Sequence, residues 1–129
     1  MGGASRTVRP TDAAGGYGGA RMDINRVMLS GNVLSDSVVS TTPTGLEVCD
    51  FHMAVNNPKR DPATGKWETN LVLINCFVYG NAAAVAGKQI QKGRHISVEG
   101  KLYNAWSEKD GRQQFHTHVD VETFDVYGR

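Results

Sequence analysis

The strongest constraint on the fold of this chain is an alternation of apolar and polar residues that recurs from Met22 onward. The clearest example is residues 115–122, which read Phe-His-Thr-His-Val-Asp-Val-Glu. A period of two residues is typical of a β-strand that buries one of its two faces. The chain is therefore predicted to fold mainly as β-sheet.

Five segments carry strand patterns, and turn signals such as Thr42–Gly45 and Glu108–Gly111 separate them. The strand segments are residues 27–33, 48–55, 71–79, 96–102 and 115–121. Residues 81–90 are rich in alanine and predict the one helix, which Gly93 ends. Five strands with one short helix between the third and the fourth is the element order of an OB fold. We therefore predict an all-β, five-stranded Greek-key barrel.

Two details of these strands are also predicted. Gly31 interrupts the first strand and is expected at a bulge or bend. Residues 71–79 are strongly apolar, so this strand is expected to be covered on both faces over much of its length.

Residues 1–21 have a different composition. They contain six glycines, and Val8 and Tyr17 are the only sizeable apolar side chains after Met1. Such a segment has too little to bury to offset its ordering entropy, so it is predicted to be disordered. A remnant of an expression tag, a natural extension and an organelle transit peptide all remain open as its origin. The single folded domain is predicted to comprise residues 22–127, with 128–129 as the end of the chain.

The net charge argues against bulk attraction to a polyanion. The chain has 14 Lys and Arg against 13 Asp and Glu, a formal charge of +1. Residues 1–21 contribute +2, so the remainder of the chain carries −1. Any binding of nucleic acid must therefore come from the local placement of cations.

Two cysteines, Cys49 and Cys76, are too few for a disulfide framework, which predicts a reducing compartment. Small buried side chains are their expected role, and they could pair only if their strands are adjacent. No apolar run approaches the ~18–20 residues that a membrane-spanning helix needs, so no membrane partner is expected.

The catalytic motifs that would indicate an enzyme are missing from the sequence. It has no phosphate-binding loop of the GxxxxGK type, no nucleophile elbow and no CxxC or HExxH pair. His116, His118 and Asp120 share one strand face, which leaves a metal-dependent hydrolase as a minor hypothesis. Two histidines facing solvent beside a sheet are the favoured interpretation. The prediction is a protein without catalysis and without a cofactor.

Binding of a nucleic acid strand needs aromatic faces for the bases and cations for the phosphates, placed on a sheet and its hairpins. The candidates for stacking are Trp67, Tyr79, Tyr103 and Trp106. The candidates for phosphate contacts are Arg26, Lys59, Arg60, Lys66, Lys92 and Lys101. Partly buried aromatic residues with lysines that merely solvate the turns are an equally good interpretation of the composition.

Several short motifs resemble those of bacterial and organellar single-stranded DNA-binding proteins. In chain order they are residues 25–33 (NRVMLSGNV), 60–65 (RDPATG), 74–76 (INC), 78–80 (VYG), 91–93 (QKG) and 98–102 (VEGKL). Each motif is weak alone, but together they are collinear over residues 24–127 and have the spacing of the family.

The resemblance implies an OB fold that assembles as a homotetramer and coats single-stranded DNA without marked sequence preference, in replication, recombination and repair. It implies a bacterial cytoplasmic (nucleoid) location, with the mitochondrion or plastid as the alternative. The first rival interpretation is an OB-fold accessory protein, such as a primosome component or an organellar RNA-binding subunit, whose main role is protein contact.

This chain departs from the family pattern in three places. Lys59 and Leu73 stand where the family often has aromatic residues. The segment from Leu102 to Trp106 is one residue shorter than the family pattern, which leaves either Tyr103 or Trp106 as the stacking residue of that strand. Many relatives continue into an acidic tip that recruits replication and repair proteins. This sequence stops at Arg129, and truncation and a tailless paralogue are both open as the reason. Replication or repair proteins are possible partners, but recruitment through an acidic tail is not expected of a chain that ends there.

Overall fold

The computed structural model describes residues 22–127. The predicted leader, residues 1–21, and residues 128–129 lie outside the described part of the chain. The strands are β1 (Val27–Val33), β2 (Val38–Thr41), β3 (Glu47–Asn56), β4 (Lys59–Arg60), β5 (Trp67–Glu68), β6 (Leu71–Tyr79), β7 (His95–Lys109) and β8 (Arg112–Tyr127). Helix α1 (Ala82–Gln89) lies between β6 and β7. No helix within residues 22–127 is long and apolar enough to span a membrane.

The main sheet closes into a barrel. Its strand order is β1-β7-β8-β6-β3-β2, and β1 also pairs with β3 through Asn32 and Val33. The pairing of β6 with β8 is parallel, whereas the other pairings in this sheet are antiparallel. The order β1-β7-β8-β6-β3 with closure onto β1 is that of the predicted five-stranded OB fold, which is confirmed.

Three short strands were not predicted. Strand β2 adds to the edge of β3, and β4 pairs with β5 in a separate two-stranded ribbon. The ribbon lies within residues 56–66 and just after them, and the two prolines and one glycine of that stretch are typical of a turn rather than of strands. A two-residue strand is too short to show a period, so pattern analysis could not detect it.

Alternation along the strands builds the core. The large side chains that are fully buried are Phe51, Met53, Ile90, Ile96, Val119, Cys49 and Cys76. Helix α1 contributes Ala83 and Ala86, whose small side chains let the helix pack closely against β3 and β6.

The expected coverage of residues 71–79 on both faces is wrong for the start of the strand. Leu71, Val72 and Leu73 are exposed by 51%, 43% and 62%. Here β6 pairs with β3, but its pairing with β8 is recorded only at Cys76 and Phe77. The first residues of β6 therefore extend past β8, and within residues 22–127 β3 is their only paired neighbour.

Two glycines allow neighbouring strands of the barrel to approach each other closely, Gly31 between β1 and β3 and Gly100 between β7 and β8. A Cβ on Gly31 would collide with the backbone carbonyl of Ala54, and a Cβ on Gly100 would collide with that of Asp120. Gly31 pairs with Ile96 of β7, and β1 also pairs with β3 from the next residue, Asn32. The bulge of the sheet lies elsewhere, at Glu99 and Gly100, where the register of β7 with β8 shifts by one residue.

Strands β7 and β8 form a long hairpin arm. They remain paired from Gly100 to Lys109, well past the predicted end at residue 102. The turn is Asp110-Gly111, with φ angles of 54° and 76°. Two residues with positive φ are those of the primed turn that the Asp-Gly pair predicted.

Both cysteines are fully buried free thiols. Their strands are adjacent, but Cys49 pairs with Val78 and Cys76 pairs with Phe51, so the two thiols are diagonal rather than opposite. Burial, followed by the charge of Asp50, raises the pKa of Cys76 to about 12. Both features fit the predicted role as small buried side chains.

Candidate nucleic-acid interface

An aromatic strip crosses three neighbouring strands on the outer face of the barrel. It consists of Phe77 and Tyr79 on β6, His118 on β8 and Tyr103 on β7. The Phe77 and Tyr79 rings are stacked with centroids 6.0 Å apart, and the His118 ring meets Phe77 edge-on at 4.7 Å. Tyr103 pairs with His118 across the β7–β8 ladder. The strip therefore runs transverse to the strands.

Strand alternation explains why these side chains point outward. Cys76 and Val78 on β6 and Val119 on β8 enter the core, so their neighbours face the opposite way. The parallel pairing of Cys76 with Val119 then places Phe77 beside His118. Tyr79 and Tyr103, at the two ends of the strip, are exposed by 40% and 48%.

Asp120 holds the polar edge of the strip in place. The His118 imidazole donates from Nε2 to Asp120 Oδ1 over 2.9 Å. Burial raises the pKa of the Tyr79 hydroxyl, and the nearby carboxylates of Asp120 and Asp50 add to that rise. The Tyr79 side chain is therefore uncharged at neutral pH.

Two of the predicted phosphate-binding cations border the strip. Lys101 lies on the same face of β7 as Tyr103, two residues earlier, and its Nζ is 3.9 Å from Glu122. Arg26 contacts Glu99 at 3.2 Å and Glu122 at 3.7 Å. These pairs are largely solvent-exposed and so contribute little to stability, which leaves both cations able to exchange partners.

The structure resolves which faces Tyr103 and Trp106 occupy. The register of β7 with β8 is continuous from Gly100 to Lys109, so the side chains alternate without interruption. Tyr103 therefore shares the face of the aromatic strip, and Trp106 lies on the opposite face of the arm. Trp106 packs there against Phe115, with ring centroids 5.3 Å apart.

The remaining candidates on the hairpin form a second group. In the β4–β5 ribbon, Lys59 pairs with Glu68 and Arg60 pairs with Trp67, whose side chain is 69% exposed. Lys66 is exposed at the end of the same turn. This group supplies one aromatic face and three cations, but none of the contacts recorded for the described residues joins it to the strip.

Lys92 stands apart from both groups. It lies between α1 and β7, at the opposite end of β7 from the arm, where its backbone N–H donates to Asp36 Oδ1 over 2.8 Å. The structure thus brings Tyr79, Tyr103 and Lys101 together, while Trp106, the ribbon and Lys92 occupy other surfaces.

Sequence reasoning missed Phe77, His118, Asp50 and Asp120 as parts of this surface. Phe77 alternates with Cys76 and Val78 just as Tyr79 does, so parity along β6 could have identified it. The other three depend on strand pairings that have no local signal.

Within residues 22–127, no group of three His, Cys, Asp or Glu side chains is arranged to hold a metal ion. His118 uses Nε2 to bond Asp120, and His116 is exposed. The geometry therefore offers no support for the metal-dependent hydrolase.

An OB barrel with a transverse row of rings, exposed at its two ends through Tyr79 and Tyr103, and with bordering cations defines a protein suited to binding single strands of nucleic acid. Comparison with known families agrees. The Single-strand binding protein family matches residues 24–127, and this chain belongs to that family. Membership identifies a binding protein rather than an enzyme.

Solved structures of single-stranded DNA-binding proteins share the fold. A deletion variant of the protein from Thermus aquaticus matches with a TM-score of 0.71 and 28% identity, over 81% of this chain and 51% of that chain. The present chain therefore spans about half the length of that relative. The Plasmodium falciparum protein, in a complex described as containing single-stranded DNA, matches with a TM-score of 0.72 and 23% identity, over 83% of this chain and 96% of that one.

Proposed function

We propose that this protein binds and protects single-stranded DNA without marked sequence preference, by stacking bases on the aromatic strip and holding phosphates with nearby Lys and Arg. The observation that carries the proposal is the strip itself, because the exposed rings of Tyr79 and Tyr103, with Phe77 between them, offer faces for unpaired bases on adjacent strands. Neighbouring strands lie about 4.8 Å apart, so the strip extends roughly 10 Å from β6 to β7, enough for about two bases.

The chemistry of the strip suits single strands rather than duplex. Stacking requires exposed base faces, which a duplex does not offer. The cations beside the rings would bind the phosphates of the backbone to which the stacked bases are attached. Every base has a π face, so stacking tolerates any sequence.

A longer strand would reach further surfaces. We propose that Trp67, Lys59, Arg60 and Lys66 contact DNA beyond the strip, and that Trp106 does so where a strand wraps around the β7–β8 arm. Lys92 is the most distant candidate and would meet only a strand that continues along the barrel.

We also propose that the protein acts as a homotetramer. Residues Val27–Gly31 pair with β7 on one side, and among the described residues no strand covers their other edge. Met28 on this strand is 76% exposed. An open edge with an exposed apolar side chain favours pairing with another copy. Several copies joined in this way would bind one strand with avidity, which offsets the low charge of each subunit.

Light scattering tests the assembly. The expected mass is four times that of the chain, and Met28→Glu is expected to lower it while leaving the fold, measured by circular dichroism, unchanged. A monomeric mass for the unmodified protein at micromolar concentration would contradict the tetramer.

The cellular role follows from binding: protection of exposed single strands in replication, recombination and repair. A reducing compartment, which we propose to be the bacterial cytoplasm or else a mitochondrion or plastid, fits the two free thiols. The second candidate function is an accessory OB-fold protein that acts mainly through protein contacts, which the exposed apolar residues Leu71–Leu73 favour.

One titration tests binding and separates the candidates. The intrinsic fluorescence of the protein is followed while oligo-dT, oligo-U or a DNA duplex is added at low salt. We expect quenching with oligo-dT at lower concentrations than with the other two. Absence of binding to every single strand would contradict the proposal, and preference for RNA would favour the organellar RNA-binding subunit.

A further inference from the structure

The central ring of the aromatic strip lies between two carboxylates. Phe77 pairs with Asp50 on β3 on one side and with Asp120 on β8 on the other. All three side chains point to the same outer face. A base that stacks on Phe77 or Tyr79 would therefore have its polar edges close to a carboxylate.

Two buried acceptor oxygens lie beneath the strip. Within residues 22–127, the buried side-chain atoms without a hydrogen-bond partner are Asp50 Oδ1, Asn75 Oδ1 and His118 Nδ1. A carboxylate only accepts, so the bond between His118 and Asp120 requires the proton on Nε2. His118 itself is only 8% exposed.

None of the ion pairs recorded within residues 22–127 joins a Lys or Arg to Asp50 or Asp120. Lys101 is the positive residue in register with Asp120, and its Nζ contacts Glu122 on the same strand. Asp120 uses one of its about four lone-pair positions for His118, and its side chain is 28% exposed, so this carboxylate retains acceptor capacity at the surface. Asp50, whose Oδ1 is buried without a partner, places a second carboxylate on the other side of Phe77.

Bases differ in what they offer to such a surface. Cytosine, adenine and guanine carry an exocyclic amino group that donates hydrogen bonds, and a carboxylate accepts well from cytosine N4. Thymine has a carbonyl oxygen, O4, where cytosine has that amino group. Both O4 and a carboxylate oxygen are acceptors, so they repel each other, and the carboxylate gains no hydrogen bond from thymine at this position.

We propose that Asp50 and Asp120 are specificity-determining residues, which make the aromatic strip prefer amino-bearing bases to thymine. The inference rests on the proposed binding of single-stranded DNA to this strip. It adds a base preference to a stacking surface that would otherwise be indifferent to sequence.

The sharpest probe is a pair of oligonucleotides that differ only in this group. Oligo-5-methyl-dC and oligo-dT of equal length both carry the methyl group on the ring. 5-Methylcytosine has an amino group on C4 and no proton on N3, whereas thymine has the oxygen O4 and a proton on N3. Affinities are measured by competition at one salt concentration and at pH 8, where cytosine is uncharged. We expect roughly fivefold tighter binding of oligo-5-methyl-dC, because a hydrogen bond to a charged group strengthens binding by more than a neutral one.

The variants Asp50→Asn and Asp120→Asn, singly and together, test which residues cause the preference. An amide donates to O4, so the double variant is expected to bind the two oligonucleotides within about twofold of each other. Asp125→Asn is the matched control, because it removes the same charge from an exposed position at the far end of β8. It is expected to leave the ratio unchanged.

The outcomes distinguish the two proposals. If neither oligonucleotide binds, the proposed function fails, and this inference fails with it. If both bind with equal affinity, or if the ratio is the same in the unmodified protein and the double variant, the base preference is overturned while DNA binding stands. The ratio in the unmodified protein decides the matter even if the double variant does not fold.

Discussion

The side chain of Asn25 forms two hydrogen bonds with the backbone of Leu102. Its Nδ2 donates to the carbonyl oxygen over 2.8 Å, and the Leu102 N–H donates to Oδ1 over 2.9 Å. The carboxamide thus continues the β1–β7 ladder, whose last backbone pair is Val27 with Gly100. It ties the segment before β1 to the residue that precedes Tyr103 of the aromatic strip.

Replacing this carboxamide should destabilise the barrel. We expect Asn25→Ala to lower the free energy of unfolding by about 1–2 kcal/mol, because two hydrogen bonds are lost at a solvent-accessible position. Urea denaturation measures the loss. Asn57→Ala, at an exposed position whose side chain has no recorded bond, is the control and should change stability by less than about 0.5 kcal/mol. Equal effects of the two substitutions would show that the bridge contributes nothing.

Oligonucleotide length should separate the two faces of the β7–β8 arm. Tyr79→Ala is expected to weaken binding of an oligo-dT of about five nucleotides by about 1–3 kcal/mol, because one stacking ring is lost. Trp106→Ala is expected to leave that short complex unchanged, since Trp106 lies on the opposite face. Both variants should weaken binding of an oligonucleotide long enough to wrap the arm. Loss of short-oligonucleotide binding in Trp106→Ala alone would refute the assignment of the strip.

Affinity should fall with salt. Lys59 and Leu73 occupy positions where relatives often have aromatic rings, so phosphate contacts should supply a larger share of the binding energy. The logarithm of the affinity for oligo-dT is expected to decrease linearly with the logarithm of the salt concentration. Lys101→Gln should reduce that slope by about 0.7, the value for one phosphate contact on a single strand. Lys88→Gln, on α1, is the control and should leave the slope unchanged. A slope near zero in the unmodified protein would contradict the prediction.

The buried thiols should be unreactive in the native state. Cys49 and Cys76 have no exposed surface, and burial raises the pKa of Cys76 from 9.0 to about 12. A thiol reagent at pH 8 should label neither cysteine in the folded protein and both in denaturant. The unfolded chain loses the Cys76 proton near pH 9, whereas the folded protein holds it up to about pH 12. The free energy of unfolding should therefore be unaffected by this group below about pH 9 and should fall between about pH 9 and 12. Cys76→Ala should flatten that fall, and rapid native labelling would disprove the burial.

Local sequence signals predicted much of the fold. The period of two located the five barrel strands, the alanine-rich stretch predicted α1, and Asp110-Gly111 predicted the turn of the arm. Each of these signals arises within a few consecutive residues, so it can be detected without knowing which strands pair in the folded protein. The strand β2 and the ribbon β4–β5 were missed because they are too short to show a period.

The candidate site was predicted less completely. Tyr79, Tyr103 and Lys101 were predicted to contact nucleic acid, and the structure places them on one face. Phe77 was overlooked because its strand was interpreted as covered on both sides. His118 was interpreted as a solvent-facing histidine, yet it is buried beside Phe77, which is 41 positions earlier in the chain.

The sequence by itself determined the five barrel strands and the helix in their order along the chain, the hairpin turn and the family, because these depend on local alternation, turn chemistry and motifs in a fixed order. Only the tertiary structure decided that Tyr103 and Trp106 lie on opposite faces and that Phe77 lies between Asp50 and Asp120. The reason is that strand pairing joins residues far apart in the chain. A shift of one residue in register would move every one of these side chains to the other face.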